Sequence, residues 1–388
     1  MRAARSPRRG RRITSTTTET SSSGAQPGSS PSATPDDPER ETVVTVAVDC
    51  NGSDLGPAEV AAGAAIAAAQ GIRMILFGPA DELGETPRGV EIIDAPVSIA
   101  KSSDPVSAVR NTPEASIVQA ARAVAAGRAQ ALVCAGGTGA ALAAGTFNIR
   151  RAPGIYRPAL ALPVPVPRHP VTLVDVGANA ECRREHLVQF AFMGAALVNA
   201  VLGVKRPRVG LLSNGEEPER GSQLLRETHA ELLERTAGSQ PFEFVGNVEG
   251  GDVVDGAADV IVTDGLTGNI ALKLIEGVSQ VMMRAIRDAA TSSARGKLGG
   301  LLLRSSLGGF REEIDPEAQG GAYLLGLRRL GVVPHGSFSR AGFASAIVRA
   351  ELGAREDVIG RTQLALEQAG ALREPPVSAQ AASLPHTG

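Results

Sequence analysis

VTDGLTGNIALKLIEG, residues 262–277, compresses a strand end, a turn and a helix start into one short stretch. Val262 and Thr263 are β-branched and close a strand at Asp264, and an apolar helical pattern follows from about Asn269. Gly265 and Gly268 permit a tight turn and close approach of the backbone to a ligand. A helix start presents free N–H groups that attract an anion. Asn269 and Lys273, four residues apart, share the helical face beside them. The pattern predicts a phosphate cradle. Spacing alone leaves open the plainer alternative, in which Asn269 caps the helix and Lys273 is merely solvated.

The same grammar of β-branched run, Gly-rich loop and Ala/Leu-rich helix recurs along the chain. It is seen in VTVAVDCNGSDLGP before a helix near 58–70, ALVCAGGTGA before Ala141 and TLVDVGANA before 186–202. VGLLSNGEEPERG before 222–235 is a further instance, and VIVTDGLTGN completes five. Strands alternating with helices predict an α/β fold with a doubly wound, Rossmann-like sheet. Ligands of such sheets gather beyond the carboxyl ends of the strands, so the five loops are expected to converge on one cleft.

Composition agrees with this class. The 388 residues are 43% hydrophobic and 21% charged, enough for a large core, and 45 glycines accompany nine Phe, two Tyr and no Trp. A net charge of −2 without a basic, aromatic-interleaved stripe argues against nucleic acid. Cys50, Cys134 and Cys182 are isolated, with no metal-ligand spacing, which suits a reducing cytoplasm. Neither a secretory signal nor an uninterrupted membrane-spanning run is evident. Residues 1–42, with six arginines in the first twelve, then Ser, Thr, Pro and Gly, read as a disordered tail. Residues 43–371 read as the catalytic domain and 372–388 as a loose C-terminal tail.

Other segments carry candidate chemistry only in combination. DVGAN sets Asp175 at a strand end with Asn179 just beyond, and GNVEGGD places Asn247, Glu249 and Asp252 in one loop. Singly, these are ordinary turn residues. His335 lies in a Gly/Ser loop, PHGSFS. A Ser337 nucleophile is not expected there, because neighbours on one loop seldom reach the required geometry. Cys134 reads as strand core.

Taken together, these pieces resemble the acyl carrier protein:phosphate acyltransferase family of bacterial phospholipid synthesis. AVDCNGSDLGP, AGGTGA, GIYRPAL, LVDVGAN, HLVQFAFMG and PRVGLLSNGEE carry the likeness, with the run from GNVEGGD through KLIEG and QGGAYLLGLRRLGVVPHGS, in order over roughly residues 44–352. The resemblance implies a fold like that of isocitrate and isopropylmalate dehydrogenases, with two subdomains, and a homodimer with a cleft near its interface. It implies catalytic roles for Lys273, Asn269, His335, Asn179 and Asn247. Substrate contacts are implied for Asp54, Gly136, Thr138, Gly139, Asp175, Gly215, Glu216, Glu249, Asp264, Gly265 and Gly268. Several loops depart from the family pattern: Asn51-Gly52-Ser53-Asp54 stands for Met-Gly-Gly-Asp, and Gly137 replaces an Asn.

The implied reaction needs neither metal nor cofactor. Phosphate attacks an already activated thioester of acyl carrier protein, giving acyl phosphate. A phosphotransacetylase-like enzyme using acyl-coenzyme A and an inactive membrane or carrier-protein adaptor are the rival readings. A metal-dependent dehydrogenase would need clustered aspartates, which no single helix supplies. The helix after Asn269 carries Ile275, Val278, Met282, Ala285 and Ala289 as one apolar stripe, expected to pack in a dimer or bundle. Residues 296–310 (GKLGGLLLRSSLGGF) correspond in the resembled family to a membrane-touching tip, which implies weak peripheral attachment of a cytoplasmic enzyme; the residues themselves equally allow an ordinary dimer-packing segment. The pairs Arg150-Arg151 and Arg183-Arg184 are candidates for docking an acidic carrier.

Overall fold

A computed structural model describes residues 43–374 apart from 86, 165, 167–168, 239–240, 300, 303–308 and 310–314. The expectation for residues 1–42 lies outside the described residues, as does most of that for 372–388.

The sequence grammar is realised as strands β1 (Thr45–Asp49), β2 (Arg73–Gly78), β3 (Val90–Asp94) and β4 (Ala131–Cys134), with helices α1 (Pro57–Ala68), α2 (Ala80–Leu83), α3 (Pro105–Asn111), α4 (Ser116–Ala125) and α5 (Thr138–Ala144). There follow β5 (Ala159–Val164), β6 (Val171–Val174), α6 (Arg184–Leu202), β7 (Arg208–Leu212), α7 (Gln223–Arg235), β8 (Glu243–Val248), α8 (Asp252–Asp255), β9 (Val260–Val262) and α9 (Gly265–Thr291). A hairpin, β10 (Ala322–Leu325) and β11 (Leu330–Val333), precedes α10 (Arg340–Arg355) and α11 (Val358–Gln368).

All eleven strands join one sheet in the order β3-β2-β1-β4-β11-β10-β5-β6-β9-β7-β8. Successive side chains of a strand face opposite ways, so both faces need cover. Val46 and Val48 meet the α1, α6, α10 and α11 side through Val60, Phe190, Phe343 and Val358. Ala47 faces Ile117 and Val118 of α4 on the other side. The fold is thus mixed α/β around a large central sheet.

The five loops expected to converge do not all lie at one end of the sheet. β3, β2, β1, β4 and β11 are mutually parallel, as are β6, β9, β7 and β8. Between the blocks, β10 pairs antiparallel with β11 and β5, and β5 antiparallel with β6. These three reversals leave the two blocks pointing in opposite directions. The loops after β1, β4 and β11 therefore lie at one edge, and those after β6, β7, β8 and β9 at the other.

Two long helices behave differently. α6 is long and apolar enough to cross a bilayer, yet 78% of its most apolar window is buried as a core helix. In α9 only Gly265 and Gly268 are buried. Ile275 leans on the core, whereas Leu266, Ile270, Leu274, Val278, Val281 and Met282 are each 49% or more exposed. Of the 296–310 segment, Leu298, Leu301 and Leu302 are exposed, while Leu303, Arg304, Leu307 and Phe310 lie outside the described residues.

Candidate active site

At the second edge the DVGAN loop is organised from below by Asp175, which is wholly buried. Its Oδ1 accepts the N–H groups of Leu160 (3.0 Å), Gly177 (3.2 Å) and Ala178 (3.0 Å). Its Oδ2 accepts the Asn179 backbone N–H and Nδ2, both at 2.8 Å. A carboxylate so enclosed arranges the loop and offers no free oxygen to a substrate. Asn179 Nδ2 also donates to the Pro158 carbonyl at 2.8 Å, tying the loop to the start of β5.

α9 begins earlier than the sequence pattern predicts. Asp264 is its N-cap and accepts Thr267 N–H at 2.8 Å, so Gly265 and Gly268 belong to the helix. These glycines are required for packing: a Cβ on Gly268 would sit 1.9 Å from the Asp175 carbonyl oxygen, and one on Gly265 2.7 Å from that of Asn179. The N–H groups of Gly265, Thr267 and Gly268 are correspondingly occupied. Gly265 N–H donates to the Asn179 carbonyl at 2.8 Å, and the Asp264 carboxylate stands where an anion would bind. Asn269 is exposed in the second turn, and Lys273, also exposed, pairs with Glu276 at 2.8 Å.

The β8 loop joins the β7 loop at the same edge. Buried Asn247 donates from Nδ2 to the Glu217 carbonyl (2.8 Å), and its Oδ1 lies 3.0 Å from His229 Nδ1. Gly215 is buried, Glu216 exposed and Glu249 exposed, with Glu249 N–H donating to Asp252 at 2.7 Å.

The first edge gathers the remaining candidates. Asp54 N–H donates to the Gly336 carbonyl (2.7 Å), and its carboxylate is 3.4 Å from Lys101. Exposed Thr138 and Gly139 open α5 after Gly136. Exposed His335 has Nδ1 2.8 Å from Ser337 Oγ. Beneath this loop group lies Asp49, 2% exposed, which accepts from Ser116 Oγ (2.6 Å) and Asn51 N–H (3.3 Å) and lies 3.5 Å from Cys134 Sγ. Burial raises its carboxyl above the ordinary range despite those hydrogen bonds. Among the described residues no hydrogen bond or ion pair joins the two edge groups.

The family model described as "Fatty acid synthesis protein" matches residues 44–361. Curated phosphate acyltransferases from Thermobifida fusca (39% identical, 79% of this chain, 86% of the relative) and Nitratidesulfovibrio vulgaris (40%, 78% and 89%) align along nearly their whole length. The phosphate acyltransferase of Gloeobacter violaceus is 39% identical over 83% of this chain and 97% of its own. The chain belongs to the phosphate acyltransferase family. It is accordingly an acyltransferase. Among solved structures, phosphotransacetylases from Streptococcus pyogenes (TM-score 0.55, 14% identity, 80% of this chain and 95% of that one) and Staphylococcus aureus (0.53, 15%, 80% and 94%) share the fold.

For a phosphate acyltransferase, the described thiols are poor nucleophiles. Burial pushes Cys182 up to about 12, aided by the charges of Asp175 and Asp264. Burial and then the Asp49 charge raise Cys50 and Cys134. His335 receives no carboxylate partner among the described residues, so the His335/Ser337 pair lacks the third group that orients a base. One residue escaped the sequence reading. Arg157, within the GIYRPAL motif, is exposed beside the carbonyl that Asn179 grips, and its charge reaches both Cys182 and His186. Its place in the quoted motif was the available signal.

Proposed function

We propose that the enzyme passes an acyl group from the thioester of acyl carrier protein to inorganic phosphate, for phosphatidic acid synthesis. A phosphate oxygen adds to the thioester carbonyl carbon, the C–S bond breaks, and the carrier thiolate leaves and takes up a proton. The observation that carries this reading is 39–40% identity to phosphate acyltransferases over 78–83% of the chain. In this reading the second edge holds the reacting groups, with Arg157, Lys273 and Asn269 supplying positive charge and donors near the Asp175-organised loop. Asn179 and Asn247 serve orientation at this edge, His335 lies with the loops of the other edge, and the buried aspartates hold loops rather than phosphate, which they would repel.

The two parallel blocks of strands correspond, on this reading, to the two subdomains of an isopropylmalate dehydrogenase-like fold. The exposed apolar face of α9 fits a homodimer, and exposed Leu298, Leu301 and Leu302 fit a weak membrane contact by a cytoplasmic enzyme. Leu302→Glu should then release the protein from anionic vesicles without splitting the dimer. Dissociation of the dimer would overturn the membrane role.

The donor is tested by comparing one acyl group on carrier protein and on coenzyme A. Carrier thioester should give the higher kcat/KM. A coenzyme A preference would overturn the donor assignment in favour of phosphotransacetylase-like chemistry.

A further inference from the structure

Arginines from four separate segments converge at the second edge. Residues 150–158 lead into β5, and an isolated antiparallel bridge, Arg151 to Leu327, docks them on the β10–β11 hairpin. Arg328 N–H donates to the Arg150 carbonyl at 2.9 Å. From the C-terminal side, Arg373 N–H donates to the Gly154 carbonyl (2.7 Å), and its guanidinium lies 5.9 Å from the Tyr156 ring centre. Tyr156 also approaches His186 (6.0 Å between centroids), whose Nδ1 accepts Arg183 N–H at 3.1 Å.

Buried Gln189 fastens this assembly from within. Its Nε2 donates to the carbonyls of Gly154 (2.9 Å) and Ala371 (2.8 Å), and its Oε1 accepts Tyr156 N–H at 2.9 Å. The backbone that carries Arg157 and leads to Arg373 is therefore anchored by a buried side chain.

Arg150, Arg151, Arg157, Arg183, Arg328 and Arg373 are all exposed. Among the described residues none of them lies within 4.0 Å of a carboxylate. Arg184, at the boundary, is by contrast engaged with Glu231 (2.6 Å) and Glu185 (3.6 Å). Concentrated like charge that is not engaged in ion pairs attracts an acidic partner and speeds its encounter. Arg157 immediately precedes Pro158, whose carbonyl Asn179 holds, so the cluster adjoins the candidate site.

We propose that this arginine cluster is the docking surface for the acidic carrier protein, presenting its thioester to the Asn179 loop. The inference rests on the carrier-thioester reading above. Position favours the carrier over an anionic membrane, because the cluster adjoins the loop rather than the exposed leucines at 298–302.

The test uses the full chain carrying Arg328→Glu and Arg373→Glu together, with Lys at both positions as the conservative control. Binding of fluorescently labelled carrier protein should weaken roughly tenfold or more, and its salt dependence should flatten. The KM for carrier thioester should rise to match, with kcat, the KM for phosphate and turnover of acyl-coenzyme A unchanged. The Lys variant should retain wild-type binding. Unchanged carrier affinity would overturn the proposal, as would equal losses with both donors, dimer dissociation, or loss confined to anionic vesicles. If the wild type makes no acyl phosphate from any thioester, the activity reading fails, and the binding measurement alone still decides the docking surface.

Discussion

Two buried aspartates close comparable strands at opposite edges of the sheet, yet they are treated differently. Asp175, just after β6, is enclosed by four backbone N–H groups and one side-chain amide. Asp49, at the end of β1, has one hydroxyl, one long backbone contact and a thiol, and burial drives it toward the neutral acid. The second edge thus has a loop tied down by five hydrogen bonds to one carboxylate, whereas the first has a loop over an acid whose charged form burial disfavours. Preorganisation of that kind is what a reaction relying on positioning and electrostatics requires.

The comparison breaks first at Asp175. Asp175→Ala should strand several buried donors, each costing about 1–3 kcal/mol, so the loss of stability should reach about 3 kcal/mol or more, with activity lost as well. Urea unfolding measures it. A change within experimental error would mean that the loop is held by something else.

A third buried carboxylate, Asp259, sharpens the contrast because its partners are charged. Burial pushes it up, but hydrogen bonds from Arg208 (2.6 Å to the backbone N), the Arg208 charge and His169 hold it below the ordinary value of 3.8. A depressed folded value means that its stabilisation is complete above 3.8 and is lost as pH falls through the lower folded value. Asp259→Asn should cost about 1–3 kcal/mol at neutral pH, and its deficit should shrink on acidification. A pH-independent deficit would show that charge is not responsible.

The smallest effect belongs to Asp49. Its raised folded value makes the folded state bind more protons than the unfolded, so wild-type stability falls as pH rises from 3.8 toward that value. Asp49→Asn should be within about 1 kcal/mol of wild type in acid and gain relative to it as pH rises, read from paired unfolding curves. A relative loss with rising pH would reverse the assignment.

Much of this was legible in the sequence. The strand-loop-helix units around Asp49, Cys134, Asp175, Leu212 and Asp264 emerged as expected, because β-branched runs and Ala/Leu periodicity are local signals. The reversal at β10 and β5 was not, since strand direction depends on pairing partners far apart in sequence. The start of α9 was misplaced for a similar reason. Gly265 and Gly268 look like loop glycines, and only the closeness of the Asp175 and Asn179 backbones shows that they are helical residues kept small for packing. Gln189, the fastener beneath the arginine cluster, reads locally as an ordinary polar residue in a helix.

The central claim is that phosphate itself accepts the acyl group. It is tested most directly by incubating full-length enzyme with acyl carrier protein thioester, with and without phosphate, and trapping the product with hydroxylamine. The account predicts thioester loss only when phosphate is present, with one acyl hydroxamate formed per carrier thiol released. Thioester loss without phosphate, or acyl groups retained covalently on the enzyme, would contradict it.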